Sequence, residues 1–389
     1  MKKIYLDYAA TTPCDPEVTK TMQPYFTKYF GNASSLHSFG SKASEALKKS
    51  RERVAEILNA SPEEIVFTSG GTEADNLAIK GIAYQNKNKR RRQGPHIITS
   101  SIEHPAVLET CKHLEKQGFK IKYLKVDQHG LVDLEELEKS INENTFLITI
   151  MFANNEIGTI QPIKKIGEIA KENDVTFHTD AVQAIGKTSI DVEKMNIDML
   201  SISSHKIYGP KGVGALYLKK GTKIAPLFHG GGHENGLRSS TENIPGIVGL
   251  GKACELAKKR IKKDSQHMKK LRDKLIEEIS NIEESYLNGH PDKRLVNNIH
   301  FYFTAVEGES LILKLDDKNI AASTGSACSS KKLQASHVLL ALGLKPEQAH
   351  GSLRLSLGRK NTMEEINYVL EILPDIVEQL REMSPLWKK

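Results

Sequence analysis

Between residues 60 and 220 short apolar runs alternate with amphipathic ones, and few folds accept that order. Ile65–Phe67 reads as a short strand and Leu77–Tyr84 as a helix. His96–Thr99, Lys120–Val126 and the long apolar run Thr145–Ala153 read as further strands. Helical patterns over Ala106–Lys116 and Leu134–Ile141 separate them. Pro162 suits the first turn of the next helix, where a missing N–H costs nothing. Val175–Thr179, Met199–Ser203 and Gly214–Leu218 complete the series. Strands separated by helices give a mostly parallel sheet covered on both faces. After Pro245 the character changes. A long charged amphipathic helix runs to about Ile282, and the strands Asn297–Phe303, Ile320–Ser323 and Arg354–Leu357 are spaced by helices. This predicts a second, smaller α+β domain, as expected for a chain of 389 residues.

Composition excludes several classes. A hydrophobic fraction of 39% with 26% charged residues is that of an ordinary soluble protein. Asp7 interrupts the apolar run of MKKIYLDYAATTP, so no signal peptide is expected, and no stretch has the length of a membrane span. Cys14, Cys111, Cys254 and Cys328 show no metal-ligand spacing and read as reduced thiols of a cytoplasmic protein; no metal site is expected. Part of the net charge of +7 is the run KNKRRR, Lys87 to Arg92. No aromatic residues interleave to stack bases, so it reads as a solvated loop, and direct nucleic-acid binding is not expected.

The chemistry centres on Lys206, in SISSHKIYGPKGVGALYL. It follows an apolar strand and precedes a glycine-rich turn. A lysine pinned there against a sheet has its proton affinity lowered and its amine made nucleophilic, which a Schiff-base lysine requires. SGGTE, Ser69 to Glu73, joins a strand to a helix. Its glycines admit close backbone approach, and the helix start offers free amides, so one phosphate fits, with Thr72 adding a hydroxyl. Ser203 and His205 flank Lys206 and add further phosphate contacts. Asp180, in HTDAVQ, ends a buried strand where ligands bind in open α/β sheets, and its carboxylate suits a pyridinium proton, as pyridoxal phosphate demands. Gln183 and Asn155 stand within reach of a phenolic ring oxygen, and His104 in SIEHPAV at another strand end suits stacking on the ring.

Cys328 lies in STGSACSS, a run of small residues without apolar anchors. That composition predicts a mobile loop and an exposed, reactive thiol.

Together SGGTEADN, ANNEIGTIQP, HTDAVQAIGK, SSHKIYGPKGVG, RSSTENIPG, STGSACSS and RLSLGR resemble a cysteine desulfurase of the iron–sulfur cluster assembly type, from YLDYAATTP to the C-terminal helix. The resemblance implies a fold-type I, class V aminotransferase-like architecture. Its large domain would be 16–258, and its small domain 1–15 with 259–389. It implies pyridoxal phosphate on Lys206 and a homodimer with active sites at the subunit interface. The phosphate would be held by Gly71, Thr72, Ser203 and His205, with Thr241 reaching it from the partner subunit. Asp180 would pair with the ring nitrogen, Gln183 and Asn155 would contact the ring oxygen, and His104 would stack. Asn155 and Arg354 would hold the carboxylate of L-cysteine, the guanidinium matching it bidentately. Lys206 would move the Cα proton, His104 the thiol proton, and Cys328 would take the sulfur as a persulfide, leaving L-alanine. Acceptors such as an iron–sulfur scaffold or tRNA-thiolation proteins would follow. Two positions depart from the family pattern: Ser240 stands where glycine is frequent, and Thr324 where serine is. Related expectations are a selenocysteine lyase or a cysteine sulfinate desulfinase of the same fold. From a different class comes an RNA- or partner-binding protein on an inactive scaffold, using the Lys87–Arg92 run, which would be colourless.

Overall fold

The computed structural model describes residues 3–87, 94–325 and 335–387. Its strands are β1 (Ile4–Tyr5), β2 (Ile65–Thr68), β3 (His96–Ser100), β4 (Lys120–Leu124), β5 (Thr145–Thr149) and β6 (Thr176–Asp180). They continue with β7 (Met199–Ser203), β8 (Gly214–Leu218), β9 (Ser285–Leu287), β10 (Asn298–Phe303), β11 (Ile320–Ala321) and β12 (Ser352–Ser356). Seven of these form one sheet in the order β2-β8-β7-β6-β5-β3-β4. The pairs among β3 to β7 are parallel, and β8 runs antiparallel to both β2 and β7. β5 (TFLIT) and β7 (MLSIS) are buried at every residue, as central strands covered on both faces must be. The expected mostly parallel sheet is therefore present.

A three-stranded antiparallel sheet, β12-β10-β9, follows in the C-terminal third. β1 pairs in parallel with β11, and Asp7 bridges to Ser356, so the first residues of the chain join this unit. Apolar packing follows the same division. One cluster surrounds the large sheet, with Ile148, Phe177, Leu200 and Ile202 at its centre. Another joins Ile4 and Leu6 to Phe301, Leu311, Leu353 and Val377. The helix Ile244–Ile279 serves both: Cys254 and Leu256 pack in the first cluster, and Met268, Leu271 and Leu275 in the second.

Local differences from the sequence reading have identifiable causes. The helix expected from Leu77 starts at Gly71, because its first turn carries polar residues that apolar periodicity does not register. Pro162 is the N-cap of the helix Ile163–Glu172 rather than a first-turn residue. The strand expected to reach Ala153 ends at Thr149, and the Met151 amide donates to the Glu103 carboxylate at 2.9 and 3.1 Å instead of continuing a ladder. β9 leaves no strand pattern in the sequence because it is a three-residue strand without a buried residue.

Ser240 adopts φ 151°, a region that favours glycine, at an exposed position. Ser240→Gly should therefore raise stability by about 1 kcal/mol. A urea melt checks this, and an unchanged or lowered midpoint would show that the serine backbone is unstrained.

Candidate active site

The C-terminal ends of the parallel strands open into a cavity of about 480 Å³, where open α/β sheets carry their ligands. Asp180 ends β6 and Ser203 ends β7, while His104 and Asn155 follow β3 and β5. Gly71 and Thr72 enter from the start of the next helix, His205 and Lys206 from the short turn after β7, Gln183 from the turn after β6, and Arg354 from β12. All of these line the one cavity. Thr241 is not among the described residues that line it, and is exposed. Cys328 lies outside the described residues, as does most of the basic run, Asn88 to Arg92. Gly325, three positions before Cys328, does line the cavity.

Gly71 is required by space. A Cβ there would lie 2.8 Å from Val182 Cγ2 and 3.5 Å from Ser203 Cβ, filling the floor beside the helix N-terminus. The helix Gly71–Asn86 leaves its first amides without intrahelical acceptors, so this floor attracts an anion. His205 does not add a charge. Burial first, then Lys206, Lys211 and Lys187, push it down to about 4. Its Nδ1 lies 3.1 Å from the Thr11 hydroxyl, and its carbonyl accepts from the Thr12 amide at 3.0 Å.

The Lys206 amine donates to the carbonyls of Ala9 at 2.6 Å and Ala10 at 2.8 Å. Gln183 Nε2 donates to the same Ala9 carbonyl at 3.0 Å. The N-terminal DYAAT segment is thus part of the site. No sequence signal pointed to Ala9 or Ala10, because backbone carbonyls have no residue type. Behind Gln183 a second amine is buried: Lys187 Nζ donates to the Gln183 carbonyl at 2.9 Å, and burial pushes it down to about 7.

Asp180 accepts from the Val182 amide at 2.9 Å. Burial raises its proton affinity, against the pull of His104 and Lys206. His104 caps the helix Pro105–Glu115, its Nδ1 accepting from the Ala106 amide at 3.1 Å. In the neutral ring the proton therefore sits on Nε2, a tautomer assigned from that hydrogen bond. Burial lowers its proton affinity, with Asp180 opposing. Asp75 carries no sequence signal, because it sits within a helical run. It is fully buried, lines the cavity, and its Oδ1 has no hydrogen-bond partner among the described residues. Burial and the neighbouring Asp180 hold it well above the usual carboxylate range. Glu103, beneath the cavity, is pushed up to about 8 by burial.

Arg354 is 3% exposed. Its Nη2 lies 2.7 Å from Asp7 Oδ1, and its Nη1 donates to the Asn155 carbonyl at 3.0 Å. Its Nε is buried without a partner among the described residues. Asn154 shapes this corner, its Oδ1 accepting from the Glu156 and Ile157 amides at 2.8 and 3.0 Å and so turning Asn155 into the cavity. An unpaired guanidinium donor and a helix start at one cavity suit a ligand with two anionic groups.

His178 and His300 are fully buried and pushed down to about 3, and His205 to about 4, from 6.5, chiefly by burial. Between those values the unfolded chain binds more protons than the folded one. The stability these imidazoles contribute is therefore full above about pH 6.5 and falls as pH drops toward 3, each group contributing up to about 1.4 kcal/mol per pH unit, while the raised Glu103, Asp75 and Asp180 act in the opposite sense. Urea melts of the unaltered protein and of His178→Gln across that range should diverge as pH falls, the variant losing less; a difference that does not change with pH would contradict a neutral buried His178.

The family described as aminotransferase class-V matches residues 4–369. A cysteine desulfurase IscS of Clostridium botulinum (strain Hall) is 58% identical over 390 residues, spanning 100% of this chain and 97% of that protein. One of Methanosarcina thermophila is 58% identical over 388 residues, spanning 100% and 95%. Among solved structures, a NifS-like protein superimposes with a TM-score of 0.91 at 41% identity, covering 97% of this chain and 100% of that one. SspA in complex with cysteine gives 0.81 at 42% identity, covering 92% and 100%. The chain belongs to the class-V aminotransferase family and, within it, to the IscS-type cysteine desulfurases.

Proposed function

We propose that this protein removes sulfur from L-cysteine with pyridoxal phosphate, releasing L-alanine and forming a persulfide on Cys328. The observation that carries this reading is the meeting, in one cavity, of the Lys206 amine, the Asp180 carboxyl, the His104 imidazole and the Arg354 guanidinium beside a helix start. The residues fit the cofactor. The floor at Gly71 has no room for a Cβ, and Arg354 keeps a donor in reserve.

When bound, pyridoxal phosphate supplies an electron sink for the charge left at the substrate Cα. Lys206 carries the cofactor and moves the Cα proton. The carbonyls of Ala9 and Ala10 hold its amine when it is released. Gly71, Thr72, Ser203 and His205 bind the phosphate, and His205 does so as a neutral ring. Asp180 keeps a proton at the ring nitrogen. Buried and inclined to protonation, it is suited to share that proton with a base placed against it. Gln183 and Asn155 contact the ring oxygen. Arg354, with Asn155, would hold the substrate carboxylate.

His104 would stack on the ring and donate a hydrogen bond from Nε2 to the substrate sulfur, since Nδ1 is committed to the helix cap. The Cys328 thiolate then forms a bond to the substrate sulfur as the bond from that sulfur to Cβ breaks. Cβ takes a proton and leaves within alanine, and the substrate sulfur stays on Cys328.

The chain works as a homodimer. Phe26, Phe30, Leu36 and Phe39 are exposed together in the segment before and at the start of the helix Ser38–Leu58, near Ile244 and Val248 at the start of the long helix. That apolar surface suits a second copy, and Thr241 lies beside it in sequence, available to the partner's phosphate. No helix among the described residues is long and apolar enough to cross a membrane. Cys111 and Cys254 are buried free thiols, which suits a reducing cytoplasm. Acceptors of the persulfide are an iron–sulfur scaffold or tRNA-thiolation proteins.

The purified protein with L-cysteine and a thiol reductant should release alanine and sulfide. Cys328→Ala should cut sulfide release at least about 100-fold while keeping the yellow absorbance band, and Lys206→Ala should lose the band. Arg354→Lys should raise KM for L-cysteine about tenfold or more, as loss of a charge-assisted bond does. Full sulfide release by Cys328→Ala would sink the persulfide step, and a colourless protein that pyridoxal phosphate cannot reconstitute would sink the enzyme.

A further inference from the structure

Glu73 directly follows Thr72 in the phosphate turn, and its carboxylate faces two ways. Its Oε2 accepts from the Ser69 amide at 2.8 Å, closing the turn from within. Arg238 Nε donates to Oε1 at 2.8 Å and Nη2 to Oε2 at 3.3 Å. The pair is well shielded, with side chains 11% and 23% exposed. Burial alone would raise the Glu73 proton affinity, yet Arg238 and Ser69 hold it below the usual carboxylate range. Glu73 is therefore ionised and fully engaged.

Arg238 belongs to the segment from Phe228 to Thr241, which has little packing of its own. Gly230, Gly231 and Gly232 within it are exposed. A second clamp reinforces the first. Glu234, with its side chain 4% exposed, accepts from Arg51 Nη2 at 2.6 Å, Arg51 Nη1 at 2.8 Å and the Phe67 amide at 2.8 Å. Both clamps end on the frame of the phosphate turn: Phe67 in β2 before it, and Glu73 just after it. Thr241 stands three residues beyond Arg238, exposed and not among the described residues that line the cavity of its own chain.

We propose that Glu73 is a positioning residue for two phosphate sites, bracing the turn of its own protomer and, through Arg238, the arm that brings Thr241 to the partner's site. This rests on the proposed dimer and its Thr241 contact. An arm so rich in glycine loses much freedom when ordered, and the clamps remove that cost before the partner's phosphate arrives.

Mixed dimers test it, with the Lys206-linked absorbance band reporting the site of whichever protomer keeps Lys206. In one dimer an Arg238→Gln protomer keeps Lys206 and its partner carries Lys206→Ala. In the other a single protomer carries both changes and its partner is unaltered. Titrated with pyridoxal phosphate, the second dimer should bind about tenfold more weakly, roughly 1.4 kcal/mol, because its reporting site is completed by the unclamped arm. The first should stay within about twofold of the unaltered dimer. Weakening confined to the first dimer would place the arm in its own site, and weakening in neither would deny Arg238 any positioning role; either overturns the proposal. If Arg238→Gln does not assemble, Arg238→Lys in the same two arrangements should give a smaller loss of the same polarity. An unaltered chain that forms no band fails as a cofactor enzyme, whereas a monomer that forms the band fails only as a dimer and takes this inference with it.

Discussion

The pair of buried Arg354 and half-buried Asp7 is the interaction on which the rest of the site depends. A guanidinium 3% exposed needs close partners, and Asp7 stands 2.7 Å away. That pairing draws the N-terminal segment across the molecule, from β1 beside β11 to the mouth of the cavity. Once there, the backbone of Ala9 and Ala10 receives the Lys206 amine, and Thr11 and Thr12 engage His205. Breaking a buried pair by removing one partner costs about 3–5 kcal/mol. Here the loss would also release the segment that holds the reactive amine.

Around that frame the cavity is made receptive to anions by removing competing charge. Asp75, Glu103 and Asp180 all have raised proton affinity, chiefly from burial. His178 and His205 are driven neutral by the same cause. The groups left to meet a ligand are the Lys206 amine, the Arg354 guanidinium and the amides of a helix start. Such a set suits two anionic groups together. The carboxyl that stays ionised nearby, Glu73, is turned to Arg238 and the Ser69 amide.

The large sheet was legible because β5, β7 and β8 combine apolar runs with turns at their ends. Pattern reading loses its hold where a few polar residues begin a helix, as at Gly71, or where an edge strand is short and exposed, as at β9. Lys206, Asp180, Gln183, His104 and Asn155 were legible for a different reason: each sits at or just after a strand end, where a polar residue interrupts an apolar pattern. Asp75 was not, since an aspartate inside an amphipathic helix reads as its solvated face. Only packing against β6 and β7 shows that this face is turned inward.

Sequence by itself determined the alternation of strands and helices, the residue types at the strand ends and the thiol at Cys328. Those are local properties, set by side-chain periodicity and by which chemical groups the chain carries. The tertiary structure decided the rest: that Ala9 and Ala10 face Lys206 from nearly two hundred residues away, that Arg354 spends one side on Asp7 and keeps Nε free of partners among the described residues, and that Glu73 joins the Ser69–Glu73 turn to Arg238. The physical reason is the same in each case. Backbone carbonyls carry no residue signature, and proton affinity depends on burial and on neighbours distant in sequence, which exist only once the chain has folded.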